Sequence, residues 1–119
     1  MALVLAVVIA VSFTIVAAAV LILARLVDTG SLGRNSAFGI RTSSTKRNDQ
    51  AWKAGHRAAQ PLTRALGITL LVLAVAVIGL GITGSTAAVA AASVVGYLIV
   101  FVMLGMVVRR ANAAARAAD

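Results

Sequence analysis

Apolar positions in this chain neither alternate nor recur once per helical turn; they run on without a break. Residues 2–24, 65–83 and 86–108 are almost wholly apolar and carry no charged side chain. Runs of about 18 or more such residues are long enough to cross a hydrocarbon core of about 30 Å as helices. At 1.5 Å per residue the first and third runs reach about 34 Å and the second about 28 Å. A membrane barrel would need alternating segments of about ten residues, which these are not. In lipid the remaining way to satisfy the backbone is the helix. The pattern predicts an all-α membrane protein with three transmembrane helices. The first run has no basic segment before it and an apolar core too long for a signal peptide, so it reads as a retained helix.

The polar positions then set the topology. All 11 Lys and Arg and all three Asp fall outside the runs. Arg25, Arg34, Arg41, Lys46, Arg47, Lys53, Arg57 and Arg64 lie between the first and second runs, and Arg109, Arg110 and Arg116 follow the third. The turn at 84–85 has no charge. The positive-inside rule places residues 25–64 and the 109–119 tail in the cytoplasm, with the N-terminus outside. The expectation is a multi-pass protein of a bacterial cytoplasmic (inner) membrane. The formal net charge of +8 is explained by this topology and by attraction to anionic membrane lipids, so nucleic acid is not an expected partner. There is no Cys and a single His, which excludes a thiolate or multi-histidine metal site. No ionisable side chain lies within the spans, which argues against a transporter or proton relay made by this chain alone. Ser and Thr at those depths are expected to bond back to their own helix.

Small residues recur every fourth position at Ala6, Ala10, Thr14 and Ala18 of the first span, and at Ala88, Ala92 and Gly96 of the third. Such ridges allow close helix approach, within one chain or in a homo-oligomer. Gly79, Gly81 and Gly84 suggest that the second span frays into the outer turn.

Any chemistry must sit in the loop from Arg25 to Arg64. Residues 26–47 are rich in Gly, Ser and Thr and read as irregular. Residues 48–60 read as a short amphipathic helix, with Asn48 as N-cap and Asp49 in the first turn. Pro61 is expected to break or kink the path into the second span. On that helix Trp52, His56 and Ala59 form one stripe, and Lys53, Arg57, Gln60 and Arg64 a basic one beside it. One reading is an interfacial helix with Trp52 in the headgroup layer. The other is a binding site built from Trp52, His56, Arg57 and Arg41. Asp49 lies about 10 Å from His56 along the helix axis, too far to orient it as a base. With no Ser–His–Asp or metal arrangement either, no catalytic residue and no cofactor are assigned, and the protein is not expected to be an enzyme.

The stretch Arg34-Asn35-Ser36-Ala37-Phe38-Gly39-Ile40-Arg41-Thr42, followed by Asp49, Trp52, His56 and Arg57, resembles the SdpI-like family of small bacterial membrane proteins. Asn35, Gly39, Ile40, Arg41, Thr42, Trp52 and His56 match its motif, which lies between a first and a second membrane helix. Ser43 stands where many members have Pro and Ser44 where an aromatic is often seen, which leaves this turn less rigid. The Ala and Arg richness is similar to that of actinobacterial members. The resemblance implies an immunity or signalling protein that protects against an antimicrobial peptide or senses envelope stress. It makes Asn35, Gly39, Arg41, Thr42, Asp49, Trp52, His56 and Arg57 the candidate residues for binding a ligand or partner, such as a toxin peptide or a regulator. Physically, Gly39 suits a positive φ, Arg41 suits a bidentate partner such as Asp49 or a phosphate, and Trp52 suits a cover over that guanidinium. Two other functions fit the residues: an accessory subunit of a larger membrane complex, and a protein that binds lipid headgroups.

Overall fold

Each uncharged run forms part of a longer helix in the structure, a computed structural model that describes residues 1–118. Helix α1 spans Ala2–Asp28, α2 Asp49–Ile82 and α3 Thr86–Ala117, with a 3-10 turn at Thr45–Arg47. Among the described residues there is no strand. All three helices are long and apolar enough to cross a membrane. Large apolar side chains such as Val8, Ile15, Val75, Leu98 and Phe101 face outward, as lipid-facing positions must. The chain is therefore a multi-pass membrane protein.

Helix α2 has 34 residues, about 51 Å of helix against a hydrocarbon core of about 30 Å. Its charged first part projects beyond the membrane, and so does the charged end of α3. The bundle measures 54 × 22 × 19 Å, and its long axis holds a membrane half and a projecting half. The loop, the start of α2 and the end of α3 form a basic end; the turn before α3 forms a hairpin end.

The short loop helix expected over 48–60 is not a separate element. Residues 49–60 are the opening of α2, capped by Asn48, whose Oδ1 accepts the Ala51 N–H at 2.8 Å. Pro61 does not break it. Proline removes one backbone donor, here the partner of the Arg57 carbonyl. Pro61 and Arg57 are both exposed, so that carbonyl faces solvent and the helix runs on. Gly79 and Gly81 are helical too, rather than frayed; only Gly84, at φ +83°, makes the turn. Ser85 then caps α3 by accepting the Ala88 N–H.

Helix α2 is the central element, packed along both neighbours, while α1 and α3 touch sparsely. Gly81 lies against Ala6 and Gly67 against Leu21, so α1 and α2 are antiparallel. Gly55 lies against the Ala111 carbonyl and Gly96 against Leu73, so α2 and α3 are also antiparallel. Helices α1 and α3 meet where Phe13 packs on Tyr97, with ring centroids 4.8 Å apart. The Tyr97 hydroxyl also donates to Ser12 Oγ at 3.0 Å. The buried face of α1 is Ala2, Ala6, Ala10, Phe13, Ala17 and Ala24. The expected ridge holds for Ala6 and Ala10, but Thr14 and Ala18 are exposed. A spacing of four drifts off a 3.6-residue helix face within two turns. On α3, Val89, Ser93, Gly96 and Val100 are buried, with Ala88 and Ala92 at the margin. Of the span hydroxyls, Thr14 and Ser93 bond back as expected, donating to the carbonyls of Ala10 and Val89, each at 2.7 Å, whereas Ser12 pairs with Tyr97 of the neighbouring helix.

The close approach at Gly81 has a measurable consequence. A side chain there meets Ala6, whereas at Gly79 nothing lies within 4 Å. Gly81→Val should destabilise the bundle by about 1–3 kcal/mol through overpacking. Gly79→Ala should be neutral or stabilising by up to about 1 kcal/mol. Unfolding in mild detergent, followed by circular dichroism, compares them. Equal stability of the two variants would rule out the tight α1–α2 crossing.

Candidate functional site

The loop is held to the start of α2 from below. After α1 the chain turns at Gly30, φ +72°, and buries Leu32. The Leu32 carbonyl accepts the indole N–H of Trp52 at 3.1 Å. Trp52 is 2% exposed and His56 3%. These two residues share one face of α2, four apart, and their ring centroids are 4.2 Å apart. Trp52 is therefore a core residue, not the headgroup-layer anchor that the interfacial reading places there. An exposed amphipathic helix and a pillar wrapped by its own loop have the same sequence pattern; the loop decides which it is.

Gly39 lies against both rings with φ +117°, and a Cβ at that position would be 3.0 Å from His56 Nε2 and from the Trp52 ring. Glycine is required there twice over, for the backbone angle and for the space. The next residue makes the contact that defines the site. The Ile40 N–H donates to His56 Nε2 at 2.9 Å, and His56 Nδ1 lies 2.8 Å from the Trp52 carbonyl. A nitrogen facing an N–H must accept, and one facing a carbonyl must donate. The ring is thus neutral, with its proton on Nδ1. His56 lies about two helix turns before the uncharged run, outside the span. Burial pushes its pKa below the ordinary 6.5, against the opposing pull of the Trp52 carbonyl.

Beyond Ile40 the loop is bonded to α3. Thr45 is fully buried; its hydroxyl donates to the Ile40 carbonyl at 2.6 Å and accepts the Thr42 N–H at 3.0 Å. The Thr42 hydroxyl donates to Asn112 Oδ1 at 2.5 Å. The Arg47 guanidinium donates to the Ala115 carbonyl at 2.8 Å, and Arg116 Nε to Ser44 Oγ at 3.3 Å.

Arg41 does not pair with Asp49, one of the partners weighed for it. Its Nη1 donates to the carbonyls of Arg34 and Ser36, and its guanidinium carbon lies 5.9 Å from the Trp52 ring centroid, within cation–π range. Asp49 is taken instead by Arg34 Nε at 3.0 Å, an exposed pair worth little by itself. A second acid, Asp28 at the end of α1, accepts from Gln60 Nε2 at 2.9 Å and from Arg64. Gln60 first, and Arg64 with it, hold that carboxyl below the usual range against the opposing effect of burial.

Of the eight candidate residues, the structure brings Gly39, Arg41, Thr42, Trp52 and His56 together as one latch, with Asp49 at its edge through Arg34. Asn35 is exposed and its side chain makes no hydrogen bond among the described residues. Arg57 is exposed as well. With Lys53 it lines a crevice of about 230 Å³, between the end of α1 and the start of α2, whose walls include Val27, Leu32, Trp52 and His56. Lys53 and Arg57 have no acidic partner among the described residues.

The model of the SdpI/YfhL protein family matches residues 31–108, well over half of the chain. The chain belongs to the SdpI/YfhL family. No match is found among curated proteins or among solved structures. The matched region contains the whole SdpI-family motif and both later spans, and it begins just after α1. The motif residues of this family member that resolve into a latch are largely spent on one another. Thr45, Asn112 and Leu32 complete that latch and are not among the eight candidate residues. Asn112 and Thr42 are 70 positions apart, and only the α2–α3 register shows that they meet. A carbonyl such as that of Leu32 leaves no mark on the residue type.

Neutral His56 makes the latch sensitive to acid. Its folded pKa is depressed, so its contribution to stability is present above pH 6.5 and is lost as pH falls through the lower folded value. Protonation turns Nε2 into a donor facing the Ile40 N–H. The protection of the residue 39–45 amides against hydrogen exchange, taken relative to the intrinsic rate at each pH, should therefore fall between pH 7 and pH 5. His56→Gln should flatten that pH dependence. An equal pH response in the two proteins would exclude His56 as its source.

Proposed function

We propose that this SdpI-family protein is an immunity or sensing protein of the bacterial cytoplasmic membrane and not an enzyme. Its N-terminus lies outside and its basic end in the cytoplasm. The observation that carries the reading is that both ring nitrogens of His56 are bound inside the latch while Lys53 and Arg57 stand exposed, with no acidic partner among the described residues, beside a crevice of mixed polar and apolar lining. A buried imidazole bonded on both sides is poorly placed to act as a general base on a bound molecule. Two exposed cations at a crevice that also offers Val27, Leu32 and Trp52 suit an acidic, amphipathic segment of a peptide or a regulator. The latch makes that surface rigid, which lowers the cost of ordering it on binding.

A second reading, as an accessory subunit, is favoured by Thr14 and Ala18, which face outward and leave a small-residue patch on α1 for another helix.

Deleting the gene should sensitise cells to at least one envelope-active peptide by about tenfold in inhibitory concentration. The double variant Lys53→Glu, Arg57→Glu should reproduce that loss while reaching the membrane at normal levels. Unchanged sensitivity across a broad panel would refute the immunity reading. Recovery of a stoichiometric membrane partner in mild detergent would favour the subunit reading instead.

A further inference from the structure

A second opening lies on the membrane side of the latch. It is a cleft of about 320 Å³ between α1 and α3, backed by α2. Val20 and Leu23 of α1, Leu66 of α2, and Leu104 and Val108 of α3 form its walls, and residues 39–42 form its roof. The walls all fall inside the uncharged runs, near their ends at the basic side. The roof is the family motif itself, just beyond the apolar boundary. The cleft exists because α1 and α3 meet at Phe13, Ser12, Gly96 and Tyr97 but touch little elsewhere.

We propose that this cleft holds one acyl chain of an anionic phospholipid from the leaflet at the basic end, with the lipid phosphate at Arg41. Three observations point to this occupant. The walls offer no polar anchor: the one lining hydroxyl in the helices, Thr63, is turned back onto the Ala59 carbonyl at 3.0 Å. An opening at this depth meets hydrocarbon, not water. Its volume equals that of about ten waters at about 30 Å³ each, the scale of a chain segment with a similar number of heavy atoms. The charge at the roof is complementary to phosphate. Arg41 is exposed, and the two described acids are held elsewhere, Asp28 by Arg64 and Asp49 by Arg34. Arg41 uses Nη1 on loop carbonyls. Its Nε and Nη2 remain as donors for a phosphate oxygen. The family motif thereby acquires a second task, as the lid of a lipid site. This inference does not depend on the immunity reading.

The test is native mass spectrometry of the full-length protein, exchanged into detergent with equal amounts of phosphatidylglycerol and phosphatidylcholine. The wild type should retain one phosphatidylglycerol with a preference of about tenfold. Arg41→Gln should remove most of that preference, since a charged hydrogen bond is worth about a factor of ten or more. Val108 is a wall residue outside the latch's hydrogen bonds; Val108→Phe fills the cleft and should reduce retention of both lipids several-fold. Arg57→Gln, which removes the same charge from the other opening, should leave the preference intact. Circular dichroism confirms that each variant is folded, and if Arg41→Gln is not, Val108→Phe decides. Equal retention of the two lipids by the wild type would overturn the proposal. So would lipid retention undiminished by Val108→Phe, or a preference that falls as far with Arg57→Gln, because either would reduce it to diffuse attraction by the basic end.

Discussion

The His56 ring accepts the Ile40 N–H on one nitrogen and donates to the Trp52 carbonyl with the other. That pair of bonds fixes the tautomer and the rotamer, and so the surface on which Gly39 lies. The rest of the loop follows in order. Once Ile40 is placed, its carbonyl takes the Thr45 hydroxyl, Thr45 takes the Thr42 N–H, and Thr42 reaches Asn112 on α3. A loop of Gly, Ser and Thr has little apolar surface to bury and a large conformational entropy to lose. Here that loss is offset by a chain of buried, mutually satisfied polar groups rather than by a core of its own.

The membrane half was legible because lipid imposes a coarse rule on composition. Three runs without a charge mean three helices, and their lengths need no tertiary information. The N-cap at Asn48, the positive φ at Gly39 and the cover of Trp52 over Arg41 were legible too, because each depends on residues close along the chain or already joined by a motif. What escaped depends on what lies opposite. Pro61 reads as a breaker until its missing hydrogen bond is seen to fall on the exposed face. Trp52 beside Lys53 and Arg57 reads as an interfacial anchor until the loop is seen to cover it. The tail after Val108 reads as a charged end. Only the α2–α3 register turns it into the wall that holds Thr42, Ser44 and Arg47.

Charge follows the same division. A carboxylate at a helix C-terminus opposes the helix dipole, and Asp28 sits at the end of α1. Gln60 and Arg64 of α2 compensate it, and in doing so tie the end of α1 to the pillar. Asp49 suits the start of α2 and engages Arg34. Both described acids are thus spent on fastening the loop's two ends. Of the remaining cations, Arg41, Arg47 and Arg116 donate to the loop and to α3, while Lys53 and Arg57 face outward.

Helix α2 joins these features mechanically. It carries Trp52 and His56 at one end, Leu66 at the back of the cleft, and Gly67 and Gly81 against α1, with no interruption at Pro61. A change in how the loop sits on His56 and a change in how α1 crosses α2 therefore act on one rigid element. Coupling over such a distance requires an element with two arrangements that both sites bias. The loop roof is the part best suited to supply them. It is fastened by polar contacts that water or a ligand can replace, whereas the glycine crossings below it leave no room for a second packing.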